Sequence, residues 1–476
     1  MNRFCRTTLT AACLLALSSF AARAGDDAPK ENAANPVITL EQAYDLALRS
    51  DQSIAKAYWE IRKANLEPLS ALTRLGPNVS VTGSLARSRQ RTRSNSSSSD
   101  SSDDFSSSNS SNGAILDQPG SGSEFRTTRT LTSSGDLGIQ YSQTILDLTA
   151  LPAYRLGKLT AEAAKLTYKS TTREVLFGLA QAYYEVLKQE RIVAVSQESV
   201  NLTQGQLDLA QKRLNAGEAL RSDVLSAEVT VENAHRDLLQ AENDEASARN
   251  TLANILNIGG DTPFRVTEPR AYTAPSAPYE DLQARAKQSR EDLKAQAVAV
   301  DQDIERRNEV RAEYWPRIST QLNAGLNDTN GDRESNGHSL DASINVEVPI
   351  FTGGQREIDL RQAAFTIQQT QLDYETKLKD VQQQVKDAWL DTQTFRQSLE
   401  ALEAQVKSAE GAYSDLRAQY QAGAATSVDV LSALTDLNVA RRDLATETYD
   451  YQVALRNIEQ ATGIFQEERV KQLKFK

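Results

Sequence analysis

Leu214-Asn-Ala-Gly217-Glu-Ala-Leu-Arg-Ser-Asp223-Val-Leu-Ser-Ala227 returns 206 residues later as Tyr420-Gln-Ala-Gly423-Ala-Ala-Thr-Ser-Val-Asp429-Val-Leu-Ser-Ala433, with eight of fourteen positions identical. Such a repeat marks a duplicated unit, and Gly217 and Gly423 within it mark reversals between helices. Upstream of the first reversal, Leu179, Val186, Val193, Val200, Leu207 and Leu214 recur every seven residues. A 3.5-residue period calls for a helix supercoiled with a partner helix. We therefore expect a helix over 151–216 and its counterpart over 355–421. The counterpart carries a denser stripe: Val381, Val385, Ala388, Phe395, Leu399, Leu402, Val406, Ala409, Tyr413, Leu416 and Tyr420. At the usual rise per residue each helix is roughly 100 Å long. Shorter return helices are expected over 219–257 and 427–463.

Two more pairs of landmarks extend the duplication. Thr144-Ile-Leu matches Pro349-Ile-Phe at an offset of 205, and Gly76-Pro77 matches Trp315-Pro316 at 239. The larger offset places a surplus in the first half, around 94–112, where 12 of 19 residues are serine. That stretch is too polar for packed structure and reads as a disordered loop. A helix is expected over 40–75, with Leu40, Ala43, Tyr44, Ala47 and Leu48 on one face, and another over 279–315. The units are then a first repeat (25–257), a Gly- and Pro-rich linker (258–278), a second repeat (279–463) and a tail (464–476).

Between the helices, 79–87, 131–143, 318–326 and 340–348 alternate with period two and read as four strands, long enough to cross a bilayer when tilted. One face of the last two holds Ile318, Leu322, Leu326, Ile344 and Val346, and is expected to meet lipid. The other holds Ser319, Gln321, Asn323, Asp341, Asn345 and Glu347, and is expected to line a watery lumen. The fold class is thus all-α plus membrane β. Four strands cannot enclose a lumen, so their edges require a ring of copies.

The N-terminus carries Arg3 and Arg6, an apolar run over 9–20, and Ala22-Arg23-Ala24 before Gly25. It reads as a secretory signal peptide, residues 1–24, which also contains Cys5 and Cys13 and leaves no cysteine for later disulfides or thiolate sites. Loss of three arginines moves the formal net charge of −11 further toward acid, which argues against nucleic acid as a partner. No later apolar run reaches roughly 18 residues, so a membrane crossing falls to a closed barrel. His235 and His338 lie in different elements, and no phosphate loop or nucleophile motif occurs, so no metal, cofactor or enzymatic activity is expected.

The segments Ile38-Thr-Leu-Glu-Gln-Ala-Tyr-Asp-Leu-Ala-Leu, Trp315-Pro316-Arg-Ile and Val348-Pro-Ile-Phe-Thr-Gly-Gly354, with the two Gly-x5-Asp-Val-Leu-x-Ala turns, resemble the TolC family in order and spacing. The resemblance implies an outer-membrane homotrimer with a twelve-stranded barrel and a periplasmic helical tunnel. It implies a periplasmic adaptor, and an inner-membrane pump or ABC transporter, as partners in efflux or type I secretion. It also implies a gate at the tip: Asp429 at a cation-binding constriction, and Asp223 and Tyr420 in closing links. The family's second acidic position is Ser432 here and its linking arginine is Ala425, with Arg221 nearby as a substitute. Capping of helix N-termini is the other reading of Asp223 and Asp429. The alternative function is a periplasmic coiled-coil adaptor or scaffold, which needs no strands with a continuous apolar face.

Overall fold

The computed structural model describes residues 37–95, 125–259, 263–269, 278–330, 335–466 and 469–470. The expected signal peptide and residues 96–112 of the serine-rich stretch lie outside these. In chain order the elements are β1 (Val37–Ile38), α1 (Leu40–Ser50), α2 (Gln52–Ala64), α3 (Glu67–Thr73), β2 (Pro77–Asn95), β3 (Phe125–Leu146), α4 (Ala150–Asn215), α5 (Arg221–Ile255), β4 (Arg265–Val266), α6 (Tyr279–Ser289), α7 (Glu291–Ala312), β5 (Arg317–Asn330), β6 (Ser335–Glu347), α8 (Gln355–Gln421) and α9 (Ser427–Thr462).

The long helices set the dimensions. α4 has 66 residues and α8 has 67, and their return helices α5 and α9 have 35 and 36. Gly217 and Gly423 both sit at φ 78°, the left-handed turn that ends α4 and α8 and that a side chain would strain. The first heptad stripe is a packing seam: Leu179, Val186, Val200 and Leu207 are buried, and Val193 and Leu214 are half-buried. The second stripe differs along its length. Val381, Val385, Ala388, Tyr413 and Tyr420 are buried, but Phe395, Leu399, Leu402, Val406 and Ala409 remain only half-covered by their own chain.

Two helices expected to be continuous are broken. The expected helix over 40–75 is three, because Asp51 takes extended backbone (φ −70°, ψ 128°) and its carboxylate accepts the Ser53 and Ile54 N–H groups at 2.7 and 2.9 Å. That cap starts α2 and so ends α1. Pro68 then restarts the chain in the first turn of α3. The expected helix over 279–315 breaks at Arg290 (φ −64°, ψ 121°) and ends at Ala312, short of Trp315. Gly463 lies against this break: a Cβ on it would come within 3.1 Å of the Arg290 backbone nitrogen.

The expected linker is also partly structured. β4 pairs in parallel with β1, Val37 opposite Arg265 and Ile38 opposite Val266. The Tyr183 hydroxyl ties this pair to α4, donating to the Thr267 carbonyl at 2.6 Å and accepting the Thr267 N–H at 2.9 Å. Around it lies a buried core of Tyr44, Leu176, Leu179, Leu252, Leu256 and Phe465.

The four remaining strands form one antiparallel sheet in the order β2-β3-β5-β6. They are longer than the alternation indicated: β2 has 19 residues and β3 has 22. Ser94 and Asn95, expected in the serine loop, belong to β2 and register with Arg126 and Phe125. Arginine and threonine extend the ladder there where a hydrophobic pattern fades, and backbone pairing needs no apolar side chain.

Candidate functional site

Register decides which side chains share a face, because directly opposed residues of an antiparallel pair lie on one side. Ile318 opposes Val346, Leu322 opposes Ala342, and Ala324 opposes Leu340. Tyr141, Ile139 and Leu137 oppose Leu322, Ala324 and Leu326. Val79 and Val81 in turn oppose Tyr141 and Ile139. The result is one apolar face running across all four strands. Its side chains are uncovered: Leu85 is 94% exposed, Leu340 76%, Ile344 71%, Val81 67% and Val346 60%. Ile318, at the helical end, is half-buried.

The other face is predominantly polar. Ser319 opposes Asn345, Gln321 opposes Ser343, and Asn323 opposes Asp341, with Glu347 at the end of β6. On the first hairpin, Ser84 donates to Asp136 at 3.0 Å. Glycines permit close strand contact here: a Cβ on Gly138 would lie 3.3 Å from the Thr82 hydroxyl, and one on Gly325 3.1 Å from the Ser339 hydroxyl. All eleven apolar and polar sheet positions named from the sequence, Ile318 included, therefore segregate to two opposite faces.

At the far end of the long helices, Asp429 closes a capping box. The Thr426 hydroxyl and N–H donate to its carboxylate at 2.6 and 3.0 Å, and the Asp429 N–H returns a bond to the hydroxyl at 3.3 Å. Those bonds from Thr426 hold the Asp429 carboxyl below the usual carboxylate range. Asp223 supplies half of such a box at α5: it accepts the Leu220 N–H at 3.1 Å, and the leucine side chain has no acceptor to return the bond. The geometry thus gives both aspartates the capping role. No hydrogen bond joins Asp223 to Tyr420 among the described residues.

The sequence profile of one family, described as outer membrane efflux protein, matches residues 43–258 and 282–464. The chain belongs to the outer membrane efflux protein family. Outer membrane protein TolC of Escherichia coli (strain K12) is 24% identical over 349 residues, covering 69% of each chain. Alkaline protease secretion protein AprF of Pseudomonas aeruginosa is 23% identical over 341 residues, again covering 69% of each. The crystal structure of the Campylobacter jejuni CmeC outer membrane channel shares the fold, with a TM-score of 0.70 at 16% identity over 91% of this chain and 90% of that one. The outer membrane is this protein's location, and the family is one of channels.

In this outer membrane efflux protein Arg221 is exposed and makes no ion pair among the described residues, so within the chain it is not the arginine that links the two tip hairpins. That arginine is Arg213, which sequence reasoning missed. Its guanidinium lies 4.5 Å from the centre of the Tyr420 ring, donates to the Tyr420 carbonyl, and lies 3.6 Å from the Glu218 carboxylate. It joins the first tip hairpin to the second. Arg213 immediately precedes the repeated segment, and Gln419 stands at the matching place in the second copy. That asymmetry is the signal that could have found it. The Tyr420 hydroxyl is buried with no hydrogen-bond partner among the described residues.

Proposed function

We propose that the chain is one protomer of an outer-membrane duct for efflux or type I secretion. In this reading three copies close their four-stranded sheets into a twelve-stranded barrel, and their helices form a periplasmic tunnel. The observation that carries it is the sheet: an uncovered apolar face, an opposite polar face, and outer edges of β2 and β6 that have no strand partner among the described residues. In a closed ring β6 pairs with β2 of the next copy, which removes every edge. Ile318, Leu322, Leu326, Ile344 and Val346 then meet lipid. Ser319, Gln321, Asn323, Asp341, Asn345 and Glu347 line water. The half-covered stripe from Phe395 to Ala409 fits the same ring, with a neighbouring helix supplying the missing cover.

The chain reads as two repeats, 25–257 and 279–463, joined at an equatorial level by 258–278 and completed by the tail 464–476. Energy comes from an inner-membrane pump or ABC transporter, reached through a periplasmic adaptor at the tip. Relatives carry names as different as alkaline protease secretion protein and cation efflux system protein. A passive duct fits both kinds of cargo, since the pump selects. The adaptor reading is disfavoured by the apolar sheet face, which an unanchored periplasmic protein would expose to water. The test is reconstitution of the purified chain in planar bilayers. Stepwise conductance and a detergent-resistant trimer are expected. A chain released from membranes without detergent would overturn the reading.

A further inference from the structure

The apolar face of β2 does not end in neutral residues. Val79, Val81 and Leu85 are followed at the same two-residue spacing by Arg87, Arg89 and Arg91. Side chains two apart along a strand point to the same side. Leu85 and Gly135 are opposed, with a Cβ on Gly135 falling 3.2 Å from the Leu85 side chain, and Arg87 opposes Ser133 two pairs further on, at the next position of the same face. The three arginines are exposed, and none has an ion pair among the described residues. Along this face neither β2 nor β3 carries a carboxylate. Asp328 on β5, opposite Gly135, is the one acid of that face among the described strand residues. At roughly 3.3 Å per residue, Arg87 lies about 7 Å beyond Leu85 and the three arginines span about 13 Å of strand. They rise from the end of the sheet that faces away from the helices.

We propose that Arg87, Arg89 and Arg91 form a ladder that binds the phosphates of anionic glycolipid headgroups in the outer leaflet. The proposal rests on the barrel reading above, in which this face meets lipid. Continuity with the apolar band places the guanidiniums just above the hydrocarbon, where long basic side chains reach the headgroups. Their planar forks match phosphate oxygens in pairs. A run of positive charge with no ion pair among the described residues complements a phosphate-bearing surface, and water alone gives no reason to align three arginines on the lipid side. Acyl chains against Val81 and Leu85 and phosphates against the arginines would hold one lipid along one strand.

The full chain, purified in detergent, is titrated with bisphosphorylated lipid A and with the same lipid stripped of its phosphates. The native chain is expected to prefer the phosphorylated form. The variant Arg87→Gln/Arg89→Gln/Arg91→Gln is expected to lose that preference by about a hundredfold, at roughly fivefold per basic residue near an anionic surface. The corresponding triple lysine variant should keep most of it, which separates charge from folding. Single Arg89→Gln, the mildest change, should lose roughly fivefold. Inorganic phosphate in equimolar amount should not displace the lipid; full displacement would mark a free-anion site and overturn the proposal. Equal affinity of the native chain for both lipids would overturn it as well, as would an unaltered preference in the glutamine variants. Insertion into proteoliposomes is followed in parallel. A native chain that fails to insert refutes the barrel, whereas one that inserts without a phosphate preference refutes the ladder alone.

Discussion

Asp429 and Asp223 show how one side chain serves two purposes. A carboxylate at the third position of a helix accepts the N-cap N–H and leaves a negative charge at the helix start. Because the Thr426 bonds depress its pKa, Asp429 keeps that charge in mildly acidic solution. Around a three-fold axis the charge would repeat and attract cations. Asp429→Ala should therefore raise the concentration of trivalent cation needed to block single channels from the periplasmic side, by about tenfold if one ring of carboxylates is the whole site. An unchanged block would leave Asp429 a cap and nothing more. Arg213 belongs to the same scale but to a different event. It grips the Tyr420 ring and carbonyl from the neighbouring hairpin, while the Tyr420 hydroxyl bonds to nothing described. Arg213→Ala should increase basal conductance by freeing one tip hairpin from the other. Tyr420→Phe should leave it near the native level, since the ring and carbonyl remain. A leak in Tyr420→Phe equal to that in Arg213→Ala would mean that the hydroxyl finds a partner in the assembled channel. The sequence exposed the two aspartates because the repeat displays them twice. It concealed Arg213 because a contact between hairpins leaves no periodic trace in either.

At the scale of elements, length and period were legible in the sequence, and interruptions were not. The heptad stripe from Leu179 to Leu214 located α4 to within two residues, because supercoil packing writes itself at every seventh position. The breaks at Asp51 and Arg290 interrupt no apolar pattern; each is a local choice of backbone stabilised by side-chain bonds that only the fold reveals. Arg290 shows what such a break does. Its guanidinium binds Asp292 at 2.7 and 2.9 Å, Gln384 at 2.7 Å and the Ala461 carbonyl at 3.2 Å. Next to it, buried Arg173 pairs with Glu291 at 2.7 Å and donates to the Phe465 carbonyl at 2.6 Å. α4, α7, α8 and the end of α9 thus meet at one polar joint. Burial of Asp292 would raise its pKa, but bonds and charge from Arg290 and Lys377 outweigh that and bring it to about 2. An acid whose folded pKa lies below its unfolded value, roughly 4, stabilises the fold above that value and loses the contribution as pH falls toward 2. Asp292→Asn should accordingly melt below the native protein at pH 7. The gap should narrow as the pH is lowered from about 4 toward 2. Melting temperatures recorded across that range give the check, and a gap independent of pH would assign the loss to packing instead of charge.

For the whole molecule, the question is which solvent each surface meets. The helices bury their seams mostly against their own chain, but the sheet buries neither face. Alternation made both faces legible in the sequence, residue by residue, for β5 and β6. The span of β2 and β3 was less legible, because arginine and threonine carry no binary signal of burial. Assembly leaves the weakest trace of all. The half-covered positions Leu399, Leu402 and Val406 look in sequence like any other member of their stripe, and only the fold shows that their own chain does not finish the packing. The sheet offers the sharpest test because its two faces differ by a single residue step. In the barrel reading Leu322→Arg or Ile344→Arg would place a guanidinium in hydrocarbon, at roughly 2–4 kcal/mol near the bilayer midplane. Gln321→Arg and Asn345→Arg would put the same group, one residue along the same strands, into water. The first pair should therefore reduce the yield of detergent-resistant trimer and of protease-protected protein in outer-membrane fractions severalfold, and the second pair should match the native chain. The comparison holds residue type, strand and depth nearly constant, so that only the solvent changes. Equal yields from both pairs would show that neither face contacts lipid. A loss confined to Gln321→Arg and Asn345→Arg would turn the barrel inside out, with polar residues packed together and the apolar face turned toward the channel.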